Sequence, residues 1–471
     1  MKNLIVSLFL FWVFSALSQN KQVLYGLEEV PQSMLLNPGS RIDYKYHFGI
    51  PFLSQIHFNG GSSGVSAYDI FQDTDGDINT RIRDKIFELK NTDFFTATEQ
   101  LDIFNFGWKN KKGIYFSGGV YQEFDFVLYF PRDLAILGWE GNQNYIGKEF
   151  DLGEVSTTGE LLTVYHFGIN KKVSKKLTLG LRAKIYSSML SFRSTNNKGT
   201  FVTRLSETNN NIYEHIVSNA NFTVNTAGIA SLEGMDNTSQ IRNELIGRAF
   251  FGGNIGLGVD IGGTYEINEL WTASASVLDL GAVFYTKDIE SYQVKGGYTL
   301  DGIELLFPGF GEGESPPYYD DLINEIEDSF PIDTLNSSYT KIRPVKMNAS
   351  IKYNFGKSIG GSGVCNCLKM GENQEFNQAV GFQYYGMFRP KGPQMAATLF
   401  YYRRFSDHFS AKATYTVDSY SYYNLGLGFV ANFNVVNFYI MLDNLQWYSN
   451  IAKAKSVSLQ LGFNIIIPED E

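Results

Sequence analysis

The residues best suited to chemistry lie in one acidic run. Asp73-Thr74-Asp75-Gly76-Asp77-Ile78-Asn79 sets three carboxylates at alternate positions, and Asp84 follows eleven residues after the first. Hard oxygen donors at such intervals suit Ca2+, and the spacing approaches that of a calcium loop. The glycine, however, stands fourth rather than sixth, where Ile78 is found. Two readings follow. Either Asp73, Asp75, Asp77 and Asp84 hold Ca2+, or the run is a solvated loop in which Asp77 or Asn79 caps the helix behind it. Cys365-Asn366-Cys367 is the second constellation, and these are the only two cysteines. A zinc site takes about four ligands, and neither a His nor a further Cys stands nearby. Thiols one residue apart can close a small ring, stay reduced or join a partner's cysteine. A local Cys365–Cys367 disulfide leads among these.

Two glycine motifs carry less. Gly60-Gly61-Ser62-Ser63-Gly64 fits the nucleophile elbow of hydrolases, but that elbow needs a strand-to-helix turn and this is a Gly/Ser-rich turn after an extended segment. Gly256-Leu257-Gly258 with Gly262 fits part of a dinucleotide loop, yet it lies inside an alternating strand without the helix a pyrophosphate needs. There glycine thins one strand face. Five His in 471 residues leave little for His-based catalysis. The formal charge of −10 and pI of about 5.2 argue against nucleic acid as partner. No nucleophile–base pair or metal cage emerges, so the expectation is a non-enzyme with no cofactor besides Ca2+.

The elements that must position these residues follow from patterning. Residues 1–18 read as a signal peptide: Lys2, an apolar run from Leu4 to Leu17, and small residues before Gln19. The chain is therefore expected to be exported. Beyond it no apolar stretch approaches the roughly 18 residues of a membrane helix. Alternation with period two recurs instead. Leu177, Leu179, Leu181, Ala183 and Ile185 alternate with Thr178, Gly180, Arg182 and Lys184. The same pattern runs through 271–277, 345–355 and 455–466. Each segment has one apolar and one polar face.

A soluble sandwich and a membrane barrel both produce such strands. Barrel strands are longer, about 9–11 residues, and carry aromatic girdles. Here the runs reach 9 to 12 residues, with Trp108, Tyr129, Trp271, Tyr401, Tyr439 and Trp447 near their ends. The expected fold is thus all-β, a transmembrane antiparallel barrel of about 14 strands over residues 41–466, with a tail at 467–471. Tight turns fall at one end. Long insertions near 59–93, 131–159, 194–250 and 284–343 fall at the other, the asymmetry of periplasmic turns and extracellular loops. Helices are expected at Asn79–Lys90 and Asp320–Ser329. Arg182, Lys184, Lys346, Lys352 and Lys412 face the lumen, where they either form ion pairs or line an anion-favouring constriction.

Several segments also resemble a known family: Gly26-Leu27, Pro31-Gln32-Ser33, Leu35-Leu36-Asn37-Pro38-Gly39, Gly49-Ile50-Pro51-Phe52-Leu53-Ser54, Phe130-Pro131-Arg132-Asp133-Leu134, Trp139-Glu140-Gly141-Asn142, Ile146-Gly147-Lys148 and Leu177-Thr178-Leu179-Gly180. Together they resemble an uncharacterised family of Bacteroidota outer-membrane barrels, distantly similar to the FadL-type long-chain fatty-acid transporters. Asn37-Pro38-Gly39 is similar to the Asn-Pro-Ala of transporter-type hatches, with Gly in place of Ala. The resemblance implies a 14-stranded barrel whose segment 19–40 enters the lumen as a plug, in the outer membrane of a Gram-negative bacterium; the lumen cations would then pair with the plug, including Glu28 and Glu29.

Two functions remain. In the first, the long extracellular loops dock other outer-membrane or periplasmic proteins, and the barrel is an accessory subunit of a secretion or assembly complex. In the second, it is a passive, FadL-like transporter of a small hydrophobic or amphipathic solute. The size of the insertions tilts the expectation to the first. Outer-membrane lipid is a partner in both.

Overall fold

The computed structural model describes residues 21–73, 76–206, 212–233, 235, 237–300, 318–357 and 376–469. The signal peptide at 1–18 and the Cys365/Cys367 pair lie outside them, as does Asp75 of the acidic run.

In chain order the strands are β1 (Tyr44–Gly49), β2 (Ile56–Ser62), β3 (Phe94–Lys109), β4 (Ile114–Tyr129), β5 (Glu149–Asp151), β6 (Ser156–Lys172), β7 (Leu177–Ser194), β8 (Lys198–Leu205), β9 (Tyr213–Ala227), β10 (Asn254–Glu266) and β11 (Trp271–Tyr285). They continue with β12 (Ile289–Leu300), β13 (Ile332–Leu335), β14 (Tyr339–Ile342), β15 (Lys346–Lys357), β16 (Phe376–Arg389), β17 (Gly392–Arg404), β18 (Phe409–Asp418), β19 (Asn424–Phe433), β20 (Val436–Asp443) and β21 (Ser456–Pro468). Both β1 and β2 pair with β21 on one side and β3 on the other, so they are two halves of one wall strand. The wall then runs antiparallel through β3, β4, β6, β7, β10, β11 and β15 to β21, where it closes at 14 positions. Closure leaves no free edge at membrane depth.

The alternation sets the faces as expected. On β7, Leu181 is 52 % exposed on the outer side and its neighbour Arg182 only 2 % exposed on the inner side. On β10, Ile255, Leu257, Val259 and Ile261 face outward, and Gly256, Gly258, Asp260 and Gly262 face the lumen. Outer-face rings cluster at the tight-turn end, where Trp108 lies 5.3 Å from Phe116 and Trp271 lies 5.0 Å from Tyr353. Two of the expected girdle aromatics are corrected: Tyr129 and Tyr439 point inward and are buried.

The insertions at 194–250 and 284–343 are also corrected, because much of each is sheet rather than loop. β9 pairs with the end of β7 and with β12, while β8 pairs with β5 and β9, and β13 with β12. β9 takes over the edge of β7 from Ser191 onward, beyond the end of its pairing with β10 at Ser188, so these strands extend past the wall ladder. Their sequences lack the apolar alternation that marks the wall strands. Helices form at Ile78–Glu88 and Tyr318–Ser329, close to the expected bounds. Among the described residues no helix is long and apolar enough to cross a membrane, which says nothing of a barrel.

Candidate functional site: the plugged lumen

Residues 21–40 lie inside the barrel as a train of tight turns. The N–H groups of Leu24, Leu27, Val30, Ser33 and Leu36 each donate to the carbonyl three residues back, at 2.9 to 3.1 Å. Such a train leaves other carbonyls without strand partners, and buried carbonyls need donors. Wall side chains supply them. Arg182 donates to Met34 O and Leu35 O, both at 2.8 Å. Ser276 reaches Leu36 O at 2.6 Å, and Asn170 reaches Pro38 O at 2.7 Å and Ser40 O at 2.8 Å. Gln383 and Lys412 both donate to Tyr25 O, at 2.8 and 2.6 Å. Apolar plug residues Val23, Leu24, Tyr25, Leu27 and Val30 pack against Val430, Tyr439 and Met441 of the wall.

Asn37-Pro38-Gly39 sits where the wall has no side chains. A Cβ at Gly180 would lie 2.0 Å from Pro38 O, and one at Gly262 would lie 2.2 Å from Asn37 Oδ1. The Asn37 side chain also accepts from Gly39 N at 2.9 Å, closing the turn. Gly180 and Gly262 thus thin the lumen face to admit the plug, whereas Gly256 and Gly258 make room for Val283 and Tyr186 of the wall.

The lumen cations have different partners from those expected. Arg182 and Lys184 pair with Asp260 at 2.5 and 2.9 Å, and Lys184 with Asp279 at 2.6 Å. Lys346 pairs with Asp279 at 2.9 Å and with Glu123 at 3.1 Å. Arg343 joins Glu123 at 3.0 Å to Glu160, which Lys341 also approaches at 3.2 Å. The result is a continuous belt of five cations and four carboxylates, all contributed by the wall segments. Of the five cations expected in the lumen, Lys352 alone takes a plug acid, Glu28, at 3.5 Å, which Arg41 also approaches at 3.3 Å. Glu29 accepts from Ser410 and Tyr402, and Lys412 binds plug carbonyls rather than a carboxylate. Sequence reading missed the acids. Asp260 was visible as a charge on an inward position, but Asp279 enters the belt through a bulge on β11 with φ +59°, which alternation does not predict.

Burial also perturbs charged groups of the plug. It lifts the Glu29 carboxyl above its usual range. Burial opposes the charge on Glu28 too, yet Lys352 and Arg41 outweigh it and hold that carboxyl low. Desolvation, reinforced by the charge of Lys346, brings the Lys21 ammonium down to about 7. One space between plug and wall, bordered by Tyr25, Glu28, Asn37 and Lys352, has a volume of about 20 Å³, room for roughly one water.

The wall has one strongly irregular strand. Between Gly49, opposite Asn464, and Ile56, opposite Leu461, six residues of the first strand face two of β21. This bulge turns Phe52 and Leu53 outward and Ser54 and Gln55 inward. Phe52 is held at φ +61°, a conformation that is costly for a bulky side chain. Behind the bulge, the Gln55 side chain, His57 Nε2, Asp102 Oδ1 and Gln460 Nε2 are buried without a hydrogen-bond partner among the described residues.

Of the candidate calcium ligands, Asp77 caps the helix Ile78–Glu88 by accepting from Asn79 N and Thr80 N, both at 3.3 Å. Those hydrogen bonds, the one from the Asn79 backbone foremost, hold its carboxyl below the usual range. Asp84 is exposed on the same helix. Among the described residues no three His, Cys, Asp or Glu side chains gather as metal ligands.

A family model described as a family of unknown function, DUF5723, matches residues 38–443. No curated protein matches the chain. Among solved structures it is similar to the toluene transporter TodX of Pseudomonas putida, at 7 % identity and a TM-score of 0.36, over 93 % of this chain and 92 % of that one. It is similar to a FadL homologue of Pseudomonas aeruginosa at 9 % identity and a TM-score of 0.42, over 96 % and 99 % of the two chains. The translocator domain of the autotransporter NalP from Neisseria meningitidis aligns at 7 % identity and a TM-score of 0.31, over 89 % and 88 %.

Proposed function

We propose that this chain, which belongs to the family of unknown function DUF5723, is a passive conduit of the outer membrane that passes a small hydrophobic or amphipathic solute through its wall. The bulge at residues 50–55 carries this reading. Among the described residues the other breaks in the wall ladder are bulges of one extra residue, as at Asp279, Ile103 and Met189, and the lumen is filled by plug and ionic belt. At this six-against-two bulge a strained backbone, two outward apolar side chains and several inward polar groups lacking partners among the described residues coincide. Backbone strain of this kind persists where the surroundings hold it and often belongs to a functional site. Opening there would give a solute a path between lipid and lumen without breaking the belt. Among the described residues of this arrangement no nucleophile stands with its base, and the reading is non-enzymatic. Export through the segment 1–18 into the outer membrane of a Gram-negative bacterium belongs to the same proposal.

Replacing residues 50–55 by two strand residues would regularise the wall. In proteoliposomes, influx of a monoaromatic hydrocarbon and of a long-chain fatty acid should fall to the protein-free rate in that variant, with a disaccharide excluded throughout. Equal influx through native and regularised barrels would sink the proposal. The alternative role as a docking subunit would use the sheet of β8, β9, β12 and β13 above the wall. No observation there identifies an occupant, so the conduit is the better-supported reading.

A further inference from the structure

On the outside of the barrel, away from the plugged lumen, the first strand ends in a cavity of about 390 Å³. Its floor is Gly60, an outward position where an added Cβ would meet only Thr96 O, at 3.9 Å. Phe95 and Val457 border it on the flanking strands, and Ile70 and Ile451 close over it from the helix Ala67–Phe71 and the turn Ile451–Lys453. The lining is mostly apolar, with Ser62, Ser66 and Ser456 among it, and opens outward, in line with the apolar outer face that continues down β2 through Phe58. Phe71 of the covering helix is 73 % exposed, as suits a ring at a membrane interface. Lys455 belongs to the lining, and Lys453, two residues before it, holds its Nζ 4.4 Å above the Tyr68 ring of the covering helix, whose one carboxylate, Asp69, is taken up by Ser66 N and Oγ.

We propose that this cavity binds one acyl chain of a phosphate-bearing membrane lipid at the loop end of the barrel. The volume falls in the range of small-molecule sites. An apolar cradle open to the bilayer selects a chain, and Lys455 of the lining with Lys453 beside the covering helix selects an anionic head group over a zwitterionic one. The site is separate from the wall bulge, and its occupancy does not depend on whether the barrel conducts.

The test uses the full chain in nanodiscs containing phosphatidylglycerol with a photoreactive group near the end of one acyl chain. Labelling should concentrate at Phe95 and residues 451–457. Gly60→Leu fills the floor where the backbone has space, and heat-modifiable migration on gels confirms folding. It should lower labelling by about tenfold, equivalent to ~1.4 kcal/mol of blocked chain burial. Lys453→Ala with Lys455→Ala should leave labelling by phosphatidylcholine unchanged and abolish the preference for phosphatidylglycerol. Undiminished labelling in a folded Gly60→Leu barrel overturns the site. Equal labelling of the native barrel by both lipids, or displacement of the probe by free fatty acid of the same chain length, overturns the phosphate-lipid assignment.

Discussion

At the scale of single residues the molecule is organised around donors for a plug that cannot satisfy itself. Arg182 is the most connected of them: it pairs with Asp260 and holds two consecutive plug carbonyls. Arg182→Met should therefore weaken plug and barrel together by about 3–5 kcal/mol, the usual cost of breaking a buried pair from one side. Faster hydrogen exchange at residues 34–36 would register it. The glycine seats give a cleaner contrast. Gly180→Ala puts a methyl group 2.0 Å from Pro38 O, a backbone atom with little room to yield, whereas Gly60→Ala points into open space. The first should expose residues 37–40 to exchange and the second should not. Lys21 adds a pH dependence. Docked, it loses its proton near 7; free, it keeps it to about 10.5. Between those values the undocked state binds more protons, so plug docking strengthens as pH rises. Lys21→Met should flatten that window in a proteolysis assay of the N-terminal segment.

At the scale of elements, what was legible in the sequence was whatever repeats. Period-two alternation located the wall strands because each must present one face to lipid and one to the lumen, and the helix behind Asp77 was legible from its cap. Asp77→Ala should fray the first turn of Ile78–Glu88 without touching the wall, seen as faster exchange at Asn79 and Thr80 alone. The rest was hidden for physical reasons. β9 and β12 pair beyond the wall ladder, and the wall's apolar alternation does not mark them. The bulges at 50–55 and at Asp279 break the very periodicity used to find strands. The belt's acids come from four separate elements or turns, and only closure of the barrel brings Glu123 and Glu160 to Arg343.

At the scale of the whole molecule, the ionic belt and the plug divide the labour of closing a 14-position barrel, which is too wide for wall side chains to fill unaided. The belt is internal to the wall and should survive without the plug. The donors that hold the plug should not remain neutralised. Deleting residues 21–40 would strip Arg182 of two carbonyls, Lys412 of the carbonyls of Gln22 and Tyr25, and Lys352 of Glu28. Asp260, Asp279 and Glu123 would keep their cationic partners. Deletion also removes Lys21, the cation facing Asp102 and Glu99. Around the belt, however, the groups uncovered are all cations, Arg182, Lys352 and Lys412, and a constriction lined by fixed cations favours anions. In planar bilayers under a KCl gradient, the native barrel is expected to stay silent. The plug-deleted barrel should still fold by gel migration, conduct, and reverse at a potential set by chloride. A silent or potassium-selective plug-deleted barrel would mean that the belt alone seals the lumen, or that its acids rather than its cations face the path.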